Sequence, residues 1–184
     1  FDGGLLFPDV TYSFYPVWAS LYDISYARIP LRDDFTIDVS GYSGGQCAVI
    51  ANPNAPTSIA LSLSEIEKMA SGLSGAFIVD EAYAEFGADS AVPLISSHPN
   101  IVVVRTLSKS HALAGLRLGY AIGAPGMIEA MNRIKDSVNS YPVDAIAQRL
   151  ALAAVTDDAY TKSVVEQIAA TRERIAAALL DMGF

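Results

Sequence analysis

The chain has one cysteine, Cys47, so no internal disulfide can form. A lone thiol is compatible with a reducing compartment, and the expectation is a cytoplasmic protein. No apolar run approaches the roughly 18 residues a membrane-spanning helix needs, so no membrane partner is expected. Basic residues are few: 12 Lys and Arg stand against 20 Asp and Glu, a formal net charge of -8. That balance argues against nucleic acid or an anionic membrane as a general partner. The two histidines, His98 and His111, have no metal-ligand spacing, so no metal is expected. Gly41, Gly44 and Gly45 make no dinucleotide fingerprint, and a Walker-type loop is missing. Internal repeats and low-complexity tracts are missing too. The opening Phe1-Asp2-Gly3-Gly4 has no basic leader and does not read as a signal peptide; it reads as an interior start.

What is present is a large apolar fraction. Hydrophobic residues make up 52% of 184 and charged residues 17%, enough for a substantial core and too apolar for disorder. Short strands are expected at Leu5–Pro8, Ile24–Pro30, Ala48–Ala51, Ala76–Val79, Ile101–Val104 and Leu118–Ile122. Thr11 is placed to cap a helix through Leu21, with Phe14, Val17, Trp18 and Leu21 on one face. Residues 31–38 read as a surface connection. Ser64 and Glu67 form a capping-box pattern opening a short helix to about Ala70. Further helices are expected from Pro125 to about Lys135, from Pro142 to Thr156, and from Asp158 to Met182. In the last, Val164, Ile168, Ile175 and Leu179 make an apolar stripe that reads as core packing. Strands alternating with helices predict an α/β fold with a largely parallel sheet, whose functional residues cluster at the carboxyl ends of the strands.

Three apolar runs end in residues with chemistry. Ile101-Val102-Val103-Val104 leads into Arg105-Thr106-Leu107-Ser108-Lys109-Ser110, and Arg117 follows. An amine, neighbouring hydroxyls and a guanidinium suit a phosphorylated aldehyde. The amine condenses with the carbonyl, and the others take the phosphate. Val79-Asp80-Glu81-Ala82-Tyr83 ends a second run with a carboxylate and a phenol, and Glu81 and Glu85 read as structural or solvated. The third run enters the turn Asn52-Pro53-Asn54-Ala55-Pro56-Thr57-Ser58. Tyr12 lies in the aromatic stretch Thr11-Tyr12-Ser13-Phe14-Tyr15.

Hydroxyl, any residue, hydroxyl, lysine, then arginine eight positions on, together with the upstream aspartate, resembles the pyridoxal-phosphate site of fold-type-I aminotransferases. Within these the chain looks most like histidinol-phosphate aminotransferases. The resemblance runs from Phe7 to Phe184 and implies a three-layer α/β/α large domain with a mostly parallel sheet flanked by helices. It implies that residues 1–157 are the cofactor-binding domain, N-terminally incomplete, and that 158–184 leads toward a C-terminal small domain. It implies pyridoxal phosphate as cofactor, with Lys109 as the covalent and proton-moving residue and Asp80 on the pyridine nitrogen. Tyr83 goes to the phenolic oxygen, Thr106, Ser108 and Arg117 to the phosphate, and Tyr12 against the ring face. In the family an asparagine directly before Pro-Thr-Gly also reaches that oxygen. Here Ala55 holds its position and Ser58 replaces the glycine. Either Asn54 reaches the oxygen from one position earlier, or Tyr83 makes the contact alone.

The activity implied is transamination between an amino donor and an oxo acid, with histidinol phosphate and 2-oxoglutarate as the pair, in a homodimer. Alternatives are an amino-acid-phosphate decarboxylase of the same fold, or a cofactor-binding module without turnover. An unrelated nucleotide-binding domain lacks the glycine-rich loop it would need.

Overall fold

The computed structural model describes residues 4–184; the reading of Phe1–Gly3 lies outside them. The described residues form two compact units by contact, one of 4–106 and 119–141, the other of Leu107–Leu118 and Pro142–Phe184.

The first unit is built on a six-stranded sheet: β1 (Leu5–Pro8), β2 (Tyr26–Ile29), β3 (Cys47–Ala51), β4 (Phe77–Asp80), β5 (Ile101–Thr106) and β6 (Gly119–Gly123). Their order across the sheet is β2-β1-β3-β4-β5-β6. All neighbours pair in parallel except β6, which returns antiparallel along β5. The α/β expectation with a largely parallel sheet therefore holds. The central strands are near-continuous apolar runs because both faces of the sheet are covered. Ala48 and Ile50 of β3, Phe77 and Val79 of β4, and Ile101 and Val103 of β5 point into one core. Val49, Phe7 and Tyr15 form a second, smaller core with Leu5 and Ile78. The period-2 alternation of a strand sends neighbouring residues to opposite faces.

Two helices cover those faces. Helix α2 (Leu63–Gly72) packs Ile66, Met69 and Ala70 into the larger core, at the helical spacing expected of one buried stripe. Burying each large apolar side chain there stabilises by about 1.5–3 kcal/mol. Its capping box is made by Ser62 and Glu65, two residues before the expected pair: the Ser62 hydroxyl accepts from the Glu65 N–H while Glu65 accepts from the Ser62 N–H. Helix α1 (Tyr15–Leu21) buries Tyr15 and Ala19. Phe14, Val17, Trp18 and Leu21, the set expected on one face, are all exposed. Thr11 does not cap this helix. Its hydroxyl donates to Asn54 Oδ1 at 2.7 Å, and Phe14 occupies the cap position without a side-chain bond. Helix α3 (Pro125–Val138) follows β6 and starts at a proline, where a missing N–H costs nothing.

The second unit holds α4 (Ala145–Thr156) and α5 (Asp158–Asp181). Asp144 caps α4 by accepting from the N–H groups of Ile146 and Ala147. The stripe on α5 is not core: among its described residues none is buried, and Ile168, Ile175 and Leu179 are exposed. Among the described residues no helix is long and apolar enough to cross a membrane, and no group of His, Cys, Asp and Glu could hold a metal ion.

Candidate active site

The parallel strands of the first unit carry their chemistry at their carboxyl ends. Asp80 is the last residue of β4, and its backbone is held from both sides. The Asn52 N–H donates to the Asp80 carbonyl at 2.8 Å, and the Glu81 N–H donates to the Val104 carbonyl at 2.8 Å. The side chain is oriented as well. Oδ2 accepts from the Tyr15 hydroxyl at 3.0 Å, and Oδ1 accepts from the Ala82 N–H at 3.0 Å. Tyr15 is 2% exposed. Burial first, then the Asp80 charge and the hydrogen bond to it, push the phenol far above its ordinary range. Tyr15 therefore stays protonated and can only donate to Asp80 through its hydroxyl hydrogen.

The next residue, Glu81, is fully buried. Its Oε2 accepts from Arg105 Nε at 2.9 Å and from Arg105 Nη2 at 2.7 Å. Oε1 accepts from the Ala91 N–H at 2.6 Å, and the Ser90 hydroxyl donates to the same carboxylate. Burial opposes the Arg105 charge, but the Glu81 hydrogen bond and charge outweigh it and raise the guanidinium above its usual value. Glu81 thus fastens the turn after β4 to the end of β5, which fits its reading as structural. Tyr83 lies beyond this anchor, 37% exposed, with its ring 6.2 Å from that of Phe86. Thr106 ends β5 opposite Gly119 and is half-buried.

Asn54 is 1% exposed, and its side chain bonds both its own loop and the segment after β1. Its Nδ2 donates to the Val10 carbonyl at 3.0 Å and to the Thr57 hydroxyl at 3.2 Å, while Oδ1 accepts from Thr11. Both amide hydrogens are thus already committed, so a further donation from Nδ2 would compete with these bonds. Ser58 sits at φ 61, in the left-handed region where glycine is at ease. Tyr12 is 42% exposed, 5.8 Å from Phe14 in a stacked pair and 5.6 Å edge-on to Tyr15. An accessible aromatic ring there suits a flat conjugated ligand.

In the second unit, the segment Leu107–Leu118 closes on itself. The Leu107 N–H donates to the Leu118 carbonyl at 3.1 Å, and the Leu113 N–H to the Leu107 carbonyl at 2.9 Å. Lys109 is exposed on this segment, Ser108 is half-buried, and the Lys109 carbonyl accepts from the Ala112 N–H. Arg117 is exposed at φ 52, with its guanidinium donating to the Ala114 carbonyl at 3.0 Å. His111 shares a 3.0 Å hydrogen bond with Ser110, and His98 lies between the hydroxyls of Ser71 and Ser97. Two residues that shape the site were missed in the sequence: Tyr15 and Arg105. Tyr15 stood in the quoted aromatic stretch, but only its partner 65 positions away gives it a role.

Known proteins resemble this chain in sequence and in fold. The chain is 53% identical over 182 residues to histidinol-phosphate aminotransferase 2 of Thiobacillus denitrificans, covering 98% of this chain and 51% of that one. It is 52% identical over 186 residues to histidinol-phosphate aminotransferase of Gluconacetobacter diazotrophicus, covering 100% and 52%. The chain thus spans about half the length of the curated relatives it matches. Among solved structures it resembles the histidinol-phosphate aminotransferase of Sinorhizobium meliloti in complex with pyridoxal-5'-phosphate. That match has a TM-score of 0.87 at 26% identity, over 98% of this chain and 51% of that one. The family model described as aminotransferase class I and II matches residues 2–184. The chain belongs to the class I and II aminotransferase family.

Proposed function

We propose that this chain carries the cofactor-binding core of a pyridoxal-phosphate-dependent aminotransferase acting on histidinol phosphate with 2-oxoglutarate as acceptor. The observation that carries the reading is Asp80, a carboxylate held at a strand end by one buried phenol and one backbone N–H. The substrate pair rests on the relatives, named histidinol-phosphate aminotransferases at 52–53% identity.

The residues fit the cofactor in kind. A pyridine nitrogen calls for a fixed carboxylate, and Asp80 is fixed. An aldehyde calls for an accessible amine, and Lys109 is exposed. A phosphate calls for hydroxyls and a guanidinium, which Thr106, Ser108 and Arg117 supply. A phenolic oxygen calls for a donor, and Tyr83 is the better choice because the Asn54 amide nitrogen already donates to Val10 and Thr57. Pyridoxal phosphate supplies an electron-withdrawing ring that accepts negative charge from the substrate carbon. The protein's part is positional and acid–base. Asp80 keeps a positive charge on the ring nitrogen favourable. Lys109 Nζ, once released, takes the proton from the substrate carbon and returns it as an acid on the product side. Tyr12 covers the ring face against water.

Residues 1–157 then form the cofactor-binding domain and 158–184 the start of a connection to a further domain. Homodimerisation and a cytoplasmic setting complete the reading. Both are supported by the family resemblance, and the buried free Cys47 is compatible with a reducing compartment. Borohydride treatment of the cofactor-loaded protein, followed by peptide mass mapping, should place a pyridoxyl group on Lys109. Label on Lys68 or Lys135, or equal label in Lys109→Ala, would refute it. Glutamate formation from histidinol phosphate and 2-oxoglutarate, against other amino donors, tests the substrate.

A further inference from the structure

We propose that Tyr15 is a positioning residue for Asp80. Its hydroxyl sets the carboxylate so that one oxygen can serve a pyridine nitrogen.

This rests on the reading of Asp80 given above and extends it one residue outward. A carboxylate on a strand end can rotate about its last bond, and each orientation offers a ligand a different oxygen. Here the rotation is fixed at both oxygens, at 3.0 Å by the Tyr15 hydroxyl and at 3.0 Å by the Ala82 N–H. The two donors differ in what they depend on. The N–H belongs to the turn that follows β4. The hydroxyl comes from α1, and the Tyr15 ring is wedged in the smaller core against Phe7 at 6.0 Å. The phenol is therefore rigid, buried and unable to swing away. A donor to a carboxylate also stabilises its charged form, which is the form a protonated ring nitrogen needs opposite it. Tyr12, three positions earlier, meets the Tyr15 ring edge-on at 5.6 Å. One short stretch of chain thus carries both the ring proposed to face the cofactor and the hydroxyl that aims its charge partner.

The test compares pyridoxal phosphate with its 1-deaza analogue, in which carbon replaces the ring nitrogen. Binding to the full 184-residue chain is followed by titration for the unsubstituted protein, Tyr15→Phe and Asp80→Asn. Tyr15→Phe keeps the ring and its packing, and thermal melting checks that it folds. The unsubstituted chain should prefer pyridoxal phosphate, and Asp80→Asn should abolish the preference. Tyr15→Phe should weaken pyridoxal phosphate about tenfold, or about 1.4 kcal/mol, and leave the deaza analogue unchanged. Equal weakening of both ligands would reduce Tyr15 to a packing residue and overturn the proposal. So would no change in either while Asp80→Asn still acts. If the unsubstituted chain shows no preference and Asp80→Asn changes nothing, the assignment of Asp80 itself fails, and the Tyr15 proposal with it.

Discussion

Arg105→Met isolates the charge that Glu81 depends on. Glu81 is wholly buried, and its side chain meets Arg105 at 2.7 Å. Two of the hydrogen bonds to its Oε2 come from that one guanidinium. Methionine keeps the unbranched stem without the guanidinium and leaves a buried carboxylate with only the Ser90 hydroxyl and the Ala91 N–H. Breaking a buried ion pair in this way costs about 3–5 kcal/mol. The Arg105 side chain is 22% exposed, so water can replace part of the loss, and the low end of that range is expected. Urea denaturation followed by the fluorescence of Trp18, the single tryptophan, reads the unit that contains both residues. A loss of about 3 kcal/mol corresponds to a melting temperature roughly 6–12 °C lower. Glu81→Leu combined with Arg105→Met should recover part of the loss, because no charge is then stranded. Recovery should be incomplete, since the Ala91 N–H loses the acceptor it holds at 2.6 Å. A drop below about 0.5 kcal/mol for Arg105→Met, the range of ordinary surface changes, would refute the reasoning.

Three further outcomes are expected. Ser62→Ala should cost about 1 kcal/mol at neutral pH by removing the α2 cap, read in the same urea titration. The Ser62 hydroxyl and N–H hold the Glu65 carboxyl below its ordinary value, so this stabilisation is present above the usual carboxylate range and is lost as pH falls through the lowered value; the acid limb should flatten in Ser62→Ala. Tyr42→Phe should stabilise by about 1 kcal/mol, since among the described residues the buried Tyr42 hydroxyl has no hydrogen-bond partner; a loss of similar size by calorimetry would show that it has one. In a full-length aminotransferase containing this chain, Asp80→Asn should raise the kcat barrier by several kcal/mol, far more than it weakens cofactor binding; near-normal turnover would leave Asp80 a structural role only.

The strands were legible because β3, β4 and β5 are apolar runs that end at polar residues, and a buried parallel strand has no other pattern. Helix α1 was placed, but which of its faces is buried was not legible. Its segment is apolar on every side, so periodicity could not decide whether Tyr15 and Ala19 or Trp18 and Leu21 would meet the sheet. The capping box slipped by two positions because Ser62 and Ser64 each have a glutamate three residues on, and sequence alone does not rank them. Thr11 looked like a cap because caps are local, whereas its partner Asn54 lies 43 positions away. The stripe on α5 has helical spacing but no buried residue, since periodicity says which side is apolar and not what covers it. The candidate site residues were legible as residue types at strand ends. The contacts that orient Asp80 and anchor Glu81 were not, because they join segments far apart in the chain.

The antiparallel return of β6 bears on the order in which the chain organises itself. Thr106 faces Gly119, so the β5–β6 pair closes over the short segment Leu107–Leu118 and can zip from that end. Every parallel pairing has to bring together residues much further apart, such as Leu5 with Cys47 or Ala48 with Phe77. Loop-closure entropy rises with the length enclosed, and rates fall as contacts become less local. The hairpin around Ser108, Lys109 and Arg117 is therefore the most local pairing of this sheet and the one expected to form first. The carboxylate at the end of β4 gains its place only after the slow crossovers are complete.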